Sequence, residues 1–581
     1  MQNNRAKKKE NIPAPGLFGL LKRYSSSIAL LVAVTIVANA LSLAVPKIIS
    51  GAIDSYGGLN FSISNLIIEL LIVALLVFIF TYLQNIVQVY TSERVARDMR
   101  NDITAKISVQ PYSYIESATP SKLLTNLTSD VDAVKTFVSI AISSLISSVF
   151  LIVGVSILLV MTDRTLGLTV LAIIPFIAGT FYIVLSKVSK LFVKSQEAID
   201  WLNKVISESI LGAALIRLLN SQNTEYDKFL KANTEAKRIS LQILAMFAGL
   251  MPIITFLTNI ATLVIVLLGG HFIISETMSL GNFTAFNSYL AILIFPIMII
   301  GFMSMLIAQA QASYGRILGV LHAPDEIKTG GLKAKLRGDI EVKNVTLNFG
   351  QKPVLKNISF SVKTGEKIAI IGPTAAGKTQ LLYILTGLVA PSSGDIYFDG
   401  KNINKYDKAS LHNQVGFVFQ DSVIFNLNLR ENIAFSNIVD DKNMEKAIAT
   451  AELREYIDSQ PEKLDSIVSE RGTSLSGGQK QRIMLARALT LDPRVLLLDD
   501  FTARVDQNTE RTILKNISKN YPGITLISVT QKISSIEHYD KIILLMEGEI
   551  LASGTHEELM NASPEYQQIY RSQQSTQQYE I

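Results

Sequence analysis

The sequence predicts two fold classes in series: an all-α six-helix transmembrane domain over residues 1–322, then an α/β domain over residues 339–572. Three observations carry this. The first part holds six long stretches without a single Asp, Glu, Lys or Arg. A polar linker at 323–338, with Pro324, Gly330 and Gly331, follows them. From Asp339 onward, short β-branched runs alternate with helical segments, the pattern of helices packed on a parallel sheet, before a polar tail at 573–581.

Composition supports the membrane half. The chain has 581 residues, more than one ordinary domain. Hydrophobic residues make up 49% and charged residues 18%, against about 25% charged in soluble domains. The mean hydropathy is +0.32. A net charge of +5 without a concentrated basic face argues against a nucleic-acid partner. There is no cysteine, which removes disulfides, thiolate metal sites and thiol nucleophiles together. The 5 histidines include no pair at i, i+4 spacing, so a histidine metal site is not expected. The N-terminus is basic through Arg5, Lys7, Lys8 and Lys9 and lacks a small-residue cleavage site, so it reads as a cytoplasmic arm.

A membrane helix needs about 20 apolar residues to cross about 30 Å of hydrocarbon. The uncharged windows Tyr24–Pro46, Leu70–Ser92, Thr136–Thr162, Thr165–Ser186, Ile239–Ser275 and Thr277–Gly315 meet this length. They place spans near 24–46, 66–92, 136–162, 165–186, 241–273 and 279–306. Windows three and four are separated only by Asp163 and Arg164, and windows five and six only by Glu276. The connections 93–135 and 187–238 are long and charged. Arg94, Arg97, Arg100, Lys187, Lys190 and Lys194 sit close to membrane ends, so the positive-inside rule puts the long connections and both termini in the cytoplasm. This is an integral membrane protein, expected in a bacterial cytoplasmic membrane with the lipid bilayer as its solvent. Pro46, Pro175, Pro252 and Pro296 fall within or at the ends of spans and are able to kink them. Asn39, Gln84, Asn85, Gln88, Asn259 and Asn287 either line a path or bond across helices, and the sequence leaves both open.

The second domain carries phosphate chemistry. Gly372-Pro373-Thr374-Ala375-Ala376-Gly377-Lys378-Thr379 follows the apolar run Lys367–Ile371, read as a strand, and opens a helix at Gln380–Leu388. This is the G-x-x-x-x-G-K-[ST] loop of P-loop NTPases: backbone N–H groups at a helix start cradle phosphates, Lys378 reaches the β- and γ-phosphates, and the Thr379 hydroxyl holds Mg²⁺. Downstream, Val495–Leu498 reads as a buried strand ending in Asp499 and Asp500. The first carboxylate is suited to Mg²⁺ and the second to orienting or deprotonating water. ATP and Mg²⁺ are the expected cofactors.

The run Leu475-Ser476-Gly477-Gly478-Gln479 resembles the signature motif of ATP-binding cassette (ABC) proteins. Other positions match that family in order. Phe349 is similar to its adenine-stacking aromatic residue, and Gln420 resembles the glutamine that senses Mg²⁺ and the membrane domain. Val468–Gly472 resembles the loop before the signature in exporters, and Ala503–Asp506 its D-loop. The resemblance runs from Asp339 to about Ser572. The six spans with two long cytoplasmic connections extend it to the exporter-type membrane domain. Within them Tyr112–Val131 and Glu208–Phe229 look like the stretches that carry coupling helices. The family implies a second half-transporter as partner, with ATP held between one chain's phosphate loop and the other chain's Ser476–Gln479.

Two departures from that pattern fall on one catalytic half-site. The residue after Asp499 is usually Glu and is here Asp500, one methylene shorter. The position of the switch histidine holds Gln531, which cannot carry a proton at neutral pH. The nearest histidine, His538, reads as a surface residue. A milder departure is Ala375, where glycine is common. The resemblance therefore implies the degenerate-site half of a heterodimeric exporter, with Asp500, Gln531 and Gln420 as the catalytic positions of a weakened ATPase site and an intact signature serving the partner. A slow homodimer, an exporter-fold importer of a metal chelate and a non-transporting ATP-gated regulatory subunit share the same motifs. No in-membrane carboxylate selects a cation, so the transported class is read as a small hydrophobic or amphipathic molecule or a peptide.

Overall fold

The computed structural model describes residues 16–56, 62–326, 330–350, 352–436, 439–469 and 472–577. The basic arm, residues 327–329 of the linker, Glu470 and Arg471 before the signature, and the last four residues lie outside the described residues. The chain forms two compact units, one of residues 1–109 and 118–323, the other of residues 110–117 and 324–581.

Among the described residues the first unit has helices and no strand. Six helices among the described residues are long and apolar enough to cross a membrane: Gly19–Ser55, Ile63–Ser108, Pro120–Thr162, Arg164–Leu211, Gln222–Ile274 and Leu280–Leu321. They overrun the uncharged windows, so most of the connections at 93–135 and 187–238 is helix and not loop. The reason is composition: Glu, Lys, Arg, Ala and Gln are strong helix formers, and charge ends the membrane without ending the helix. Pairs one turn apart reinforce these extensions, as with Arg238 and Glu235 at 2.6 Å. Pro46, Pro252 and Pro296 lie inside helices, while Pro175 sits in a first turn, where its missing N–H costs nothing.

Polar side chains join the spans. The Ser147 hydroxyl donates to Asn39 Oδ1 at 2.9 Å, and the Ser143 hydroxyl to Gln88 Oε1 at 2.9 Å. For these two amides the cross-helix role is therefore realised. At the other end of the first span, Asp54 accepts from the Ser279 hydroxyl at 2.6 Å and from the Gly281 N–H at 2.7 Å, which caps the sixth span. Arg316 Nε donates to both oxygens of the buried Asp130 at 3.1 Å and ties the third span to the sixth.

The second unit is α/β. Strands β1 (Ile340–Phe349), β2 (Lys352–Val362), β4 (Ser393–Phe398) and β5 (Lys401–Asn402) form an antiparallel sheet in the order β2-β1-β4-β5. A second sheet has the order β10-β9-β3-β8-β7-β6, from β3 (Lys367–Ile371), β6 (Val415–Val418), β7 (Val495–Asp499), β8 (Thr525–Val529), β9 (Lys541–Met546) and β10 (Glu549–Gly554). All its pairings are parallel except that of β10 with β9. Strands β3, β7 and β8 are buried along almost their whole length because helices cover one face of this sheet, while the antiparallel sheet and the helix Lys378–Leu385 cover the other. Tyr112, on the short helix Tyr112–Ala118, belongs to this unit and packs edge-on against Tyr383 at 5.6 Å.

Candidate nucleotide site

Parallel register gathers the site. Ile370 pairs with Val529, Val529 with Asp499, and Leu498 with Val418. The carboxyl ends of four neighbouring strands therefore come out at one edge, where open α/β sheets bind ligands. The phosphate loop, Asp499, Asp500, Gln531 and Gln420 all leave the sheet there. A cavity of about 750 Å³ opens at that edge. Of the residues read from sequence, Phe349, Thr374, Ala375, Ala376, Gly377, Lys378, Thr379, Gln380, Gln420, Asp499, Asp500 and Gln531 line it.

The loop's glycines are required by the backbone. Gly372 has φ +151, and a Cβ there would lie 2.0 Å from Leu545 O. Gly377 has φ +97, with Val354 O at 3.0 Å from the same imagined atom. Ala375 adopts φ +66, a left-handed conformation that costs an L-residue roughly 1–2 kcal/mol. The helix that follows runs Lys378–Leu385, beginning two residues before the sequence places it and ending three earlier, at Thr386 and Gly387. Among the described residues no side chain caps its start, so its first N–H groups remain available to an anion. Gly372 and Pro373 are not part of the wall. Their carbonyls accept from Lys378 Nζ at 2.8 Å each and hold the ammonium over the loop.

The acidic side of the cavity is buried. Asp499 is 1% exposed, and neither of its carboxyl oxygens has a hydrogen-bond partner of normal geometry among the described residues. Burial pushes its pKa up to about 6, with Thr379 and Lys378 pulling the other way. Burial also raises Asp500 and lowers Lys378, each opposed by the other's charge. Orphaned oxygens of this kind suit a hard divalent cation, and Thr379, Asp499 and Gln420 are the oxygen donors that would hold Mg²⁺. The ion would neutralise phosphate charge.

Asp500 sits in the left-handed region at φ 48, ψ 35, with its N–H donating to Val529 O at 2.9 Å. Gln531 is exposed at the cavity, and His538 lies exposed further along the segment. Local motifs missed Lys352, Pro353, Val354 and Lys356 of β2, together with Val529, Glu547 and Gly548, which also line the cavity. They reach it through strand pairing, and nothing in their own sequence announces that.

Ser476–Gln479 are absent from this cavity's lining. They start the helix Gly477–Leu489, where the Ser476 hydroxyl accepts from Gln479 N at 3.2 Å while Gln479 Oε1 accepts from Ser476 N at 2.8 Å. This capping box leaves the Ser476 hydroxyl proton free to donate elsewhere. A Cβ on Gly478 would come within 2.8 Å of Arg504 O, so the helix start is packed onto the loop after Asp500.

Comparison with known proteins places these features together. A family model described as the ABC transporter transmembrane region matches residues 28–297, and one described as ABC transporter matches residues 355–503. YfiB of Bacillus subtilis (strain 168), an ABC transporter ATP-binding protein, is 34% identical over 489 residues, 83% of this chain and 85% of its own. The multidrug resistance-like ATP-binding protein MdlA of Buchnera aphidicola is 30% identical over 571 residues, 95% of this chain and 96% of its own. The structure of a bacterial Atm1-family ABC exporter with ATP bound has the same fold, with a TM-score of 0.80 over 95% of this chain and 99% of that one, at 21% identity.

Proposed function

The chain belongs to the ABC transporter family, and from that premise we propose that it is one subunit of a heterodimeric, ATP-driven exporter whose own phosphate loop forms the weaker of two ATP sites. The observation that carries this is the division of its motifs. The cavity with Lys378, Thr379 and Asp499 contains Asp500 and Gln531 but none of Ser476–Gln479. Hydrolysis needs a group that positions water, and shortening Glu to Asp at position 500 withdraws that group by roughly 1 Å, enough to spoil near-attack geometry. Gln531 donates to a γ-phosphate without carrying a proton. The capped and undamaged helix start at Ser476 offers hydroxyl and backbone donors to a nucleotide on a partner chain.

In this reading ATP with Mg²⁺ binds both sites and draws two cassettes together. Tyr112, packed on the helix after the phosphate loop, ties the first coupling stretch to the nucleotide site. The short helix Ala213–Leu218 in the second stretch exposes Leu215 and Leu218, the apolar surface a partner's cassette would cover. Closure reorients the spans, and hydrolysis at the partner's phosphate loop resets them. The substrate class is hydrophobic or amphipathic. A cavity of about 560 Å³ between the third, fourth and sixth spans, with Phe181, Tyr182, Leu185, Ser186, Ile297 and Ser304 in its wall, has no charged side chain. Names of relatives agree: besides MdlA, a lipid A-core flippase of Syntrophus aciditrophicus is 27% identical over 497 residues, 85% of this chain and 83% of its own. The protein sits in the cytoplasmic membrane with its cassette in the cytoplasm.

The test is ATPase activity of the assembled complex. Asp500→Asn is expected to change it by less than twofold, and Ser476→Arg to remove most of it. A large loss from Asp500→Asn, or full activity from this chain purified alone, overturns the asymmetric reading.

A further inference from the structure

The C-terminal helix Pro564–Gln577 is firmly anchored before its last turns. Tyr566 is fully buried with its hydroxyl 2.8 Å from His556 Nδ1, and the His556 ring meets Tyr566 and Tyr570 edge-on at 5.7 and 5.2 Å. Ile569 and Tyr570 pack against the main apolar core of the unit. Gln567 Nε2 donates to Met560 O at 2.6 Å. Positions 566, 569, 570 and 573 follow the i, i+3, i+4, i+7 spacing of one helix face, so the buried stripe points Gln573 at what lies beside it.

What lies beside it is the segment after β8. Gln573 Nε2 donates to Gln531 O at 2.6 Å, and Gln573 Oε1 accepts from Ile533 N at 2.9 Å. One amide thus fixes an acceptor and a donor on either side of Lys532. A primary amide is the side chain suited to this, having a donor and an acceptor on one carbon. Sequence reading puts residue 573 in a polar tail, where no such role is visible.

We propose that Gln573 is a positioning residue for the nucleotide site: by clamping the backbone of residues 531–533 it aims the Gln531 side chain at the γ-phosphate. The C-terminal helix thereby sets how well the site distinguishes ATP from ADP. This rests on the reading of Gln531 as the γ-phosphate contact. It adds a brace that holds the switch segment in one place while the site keeps its ATP.

The experiment uses the full-length chain in detergent, with Mg·ATP and Mg·ADP titrated separately, amide hydrogen exchange followed over residues 530–536, and Arg571→Ala as a control on the same helix. Loss of two hydrogen bonds is expected to weaken Mg·ATP binding about tenfold in Gln573→Ala. Mg·ADP binding should stay as in the wild type, the unfolding temperature should fall by no more than a few degrees, and exchange at Ile533 should rise at least tenfold. Gln573→Glu keeps the acceptor and loses the donor, so it should fall short of wild-type ATP affinity. Unchanged exchange in Gln573→Ala overturns the clamp. Equal losses for ATP and ADP, or wild-type behaviour of Gln573→Glu, overturn the positioning role. Gln531→Ala separates the two ideas: if it leaves the ATP-to-ADP ratio untouched, the reading of Gln531 falls and the positioning role with it, while the exchange result still decides the clamp.

Discussion

The phosphate-loop cavity and the start of the helix Gly477–Leu489 are both anion-directed helix ends in one cassette, yet they are finished differently. The first has an uncapped helix, a strained residue at Ala375, and the pair Asp500 and Gln531 in the cavity wall. The second is closed by a reciprocal capping box and packed onto Arg504. Binding and catalysis are therefore separable demands. Backbone N–H groups and a lysine are enough to hold phosphates, while hydrolysis needs one carboxylate placed to within a fraction of an ångström.

The strongest way to break this contrast is at Gly478. A valine there has to displace Arg504 O, so Gly478→Val is expected to cut the complex's ATPase more than a hundredfold while this chain's own Mg·ATP affinity changes less than twofold. Equal damage to both would mean that the two ends serve one site. Ala375→Gly is a milder probe of the loop. Relief of left-handed strain, partly offset by the unfolded-state entropy of glycine, should stabilise the cassette by less than about 1 kcal/mol in denaturant unfolding. A destabilised variant would show that Ala375 is not strained.

The smallest effect concerns Glu510, 1% exposed on the helix Gln507–Asn520 that follows the loop between the two ends. Burial raises its pKa above the ordinary 4.5, opposed by Ser535, Lys532 and Arg511. A raised carboxyl contributes stability that is full below the unfolded value and is lost as pH climbs through the folded one. Glu510→Gln escapes that loss. Its unfolding temperature should differ from the wild type by a constant amount below pH 4 and gain on it as pH rises to 8. A constant difference across that range would mean the carboxyl does not titrate there.

Much of the site was legible because its chemistry is local. Gly372–Thr379 is one continuous loop, and the Val495–Asp500 run announces a strand with carboxylates at its end. The spans were legible because hydrocarbon forbids charge over a fixed length. Helix ends were less so: the charged extensions of the spans look like loops to a hydropathy reading, yet they are made of good helix formers. The β2 residues of the cavity wall and Gln573 left no mark, since their roles come from strand pairing and from a helix face meeting a distant segment.

By itself, then, the sequence determined the membrane half, the phosphate loop and the apolar strand that ends in Asp499, and it marked Asp500 and Gln531 as departures from the family pattern. Each of these is a demand that solvent or phosphate places on consecutive residues. Only the tertiary structure decided that Ser476 lies outside the wall of the phosphate-loop cavity, that Ala375 carries strain, and that an amide 42 residues downstream holds the backbone of Gln531. Those outcomes depend on which segments meet in space, and that is settled by the packing of sheet and helices around a shared core.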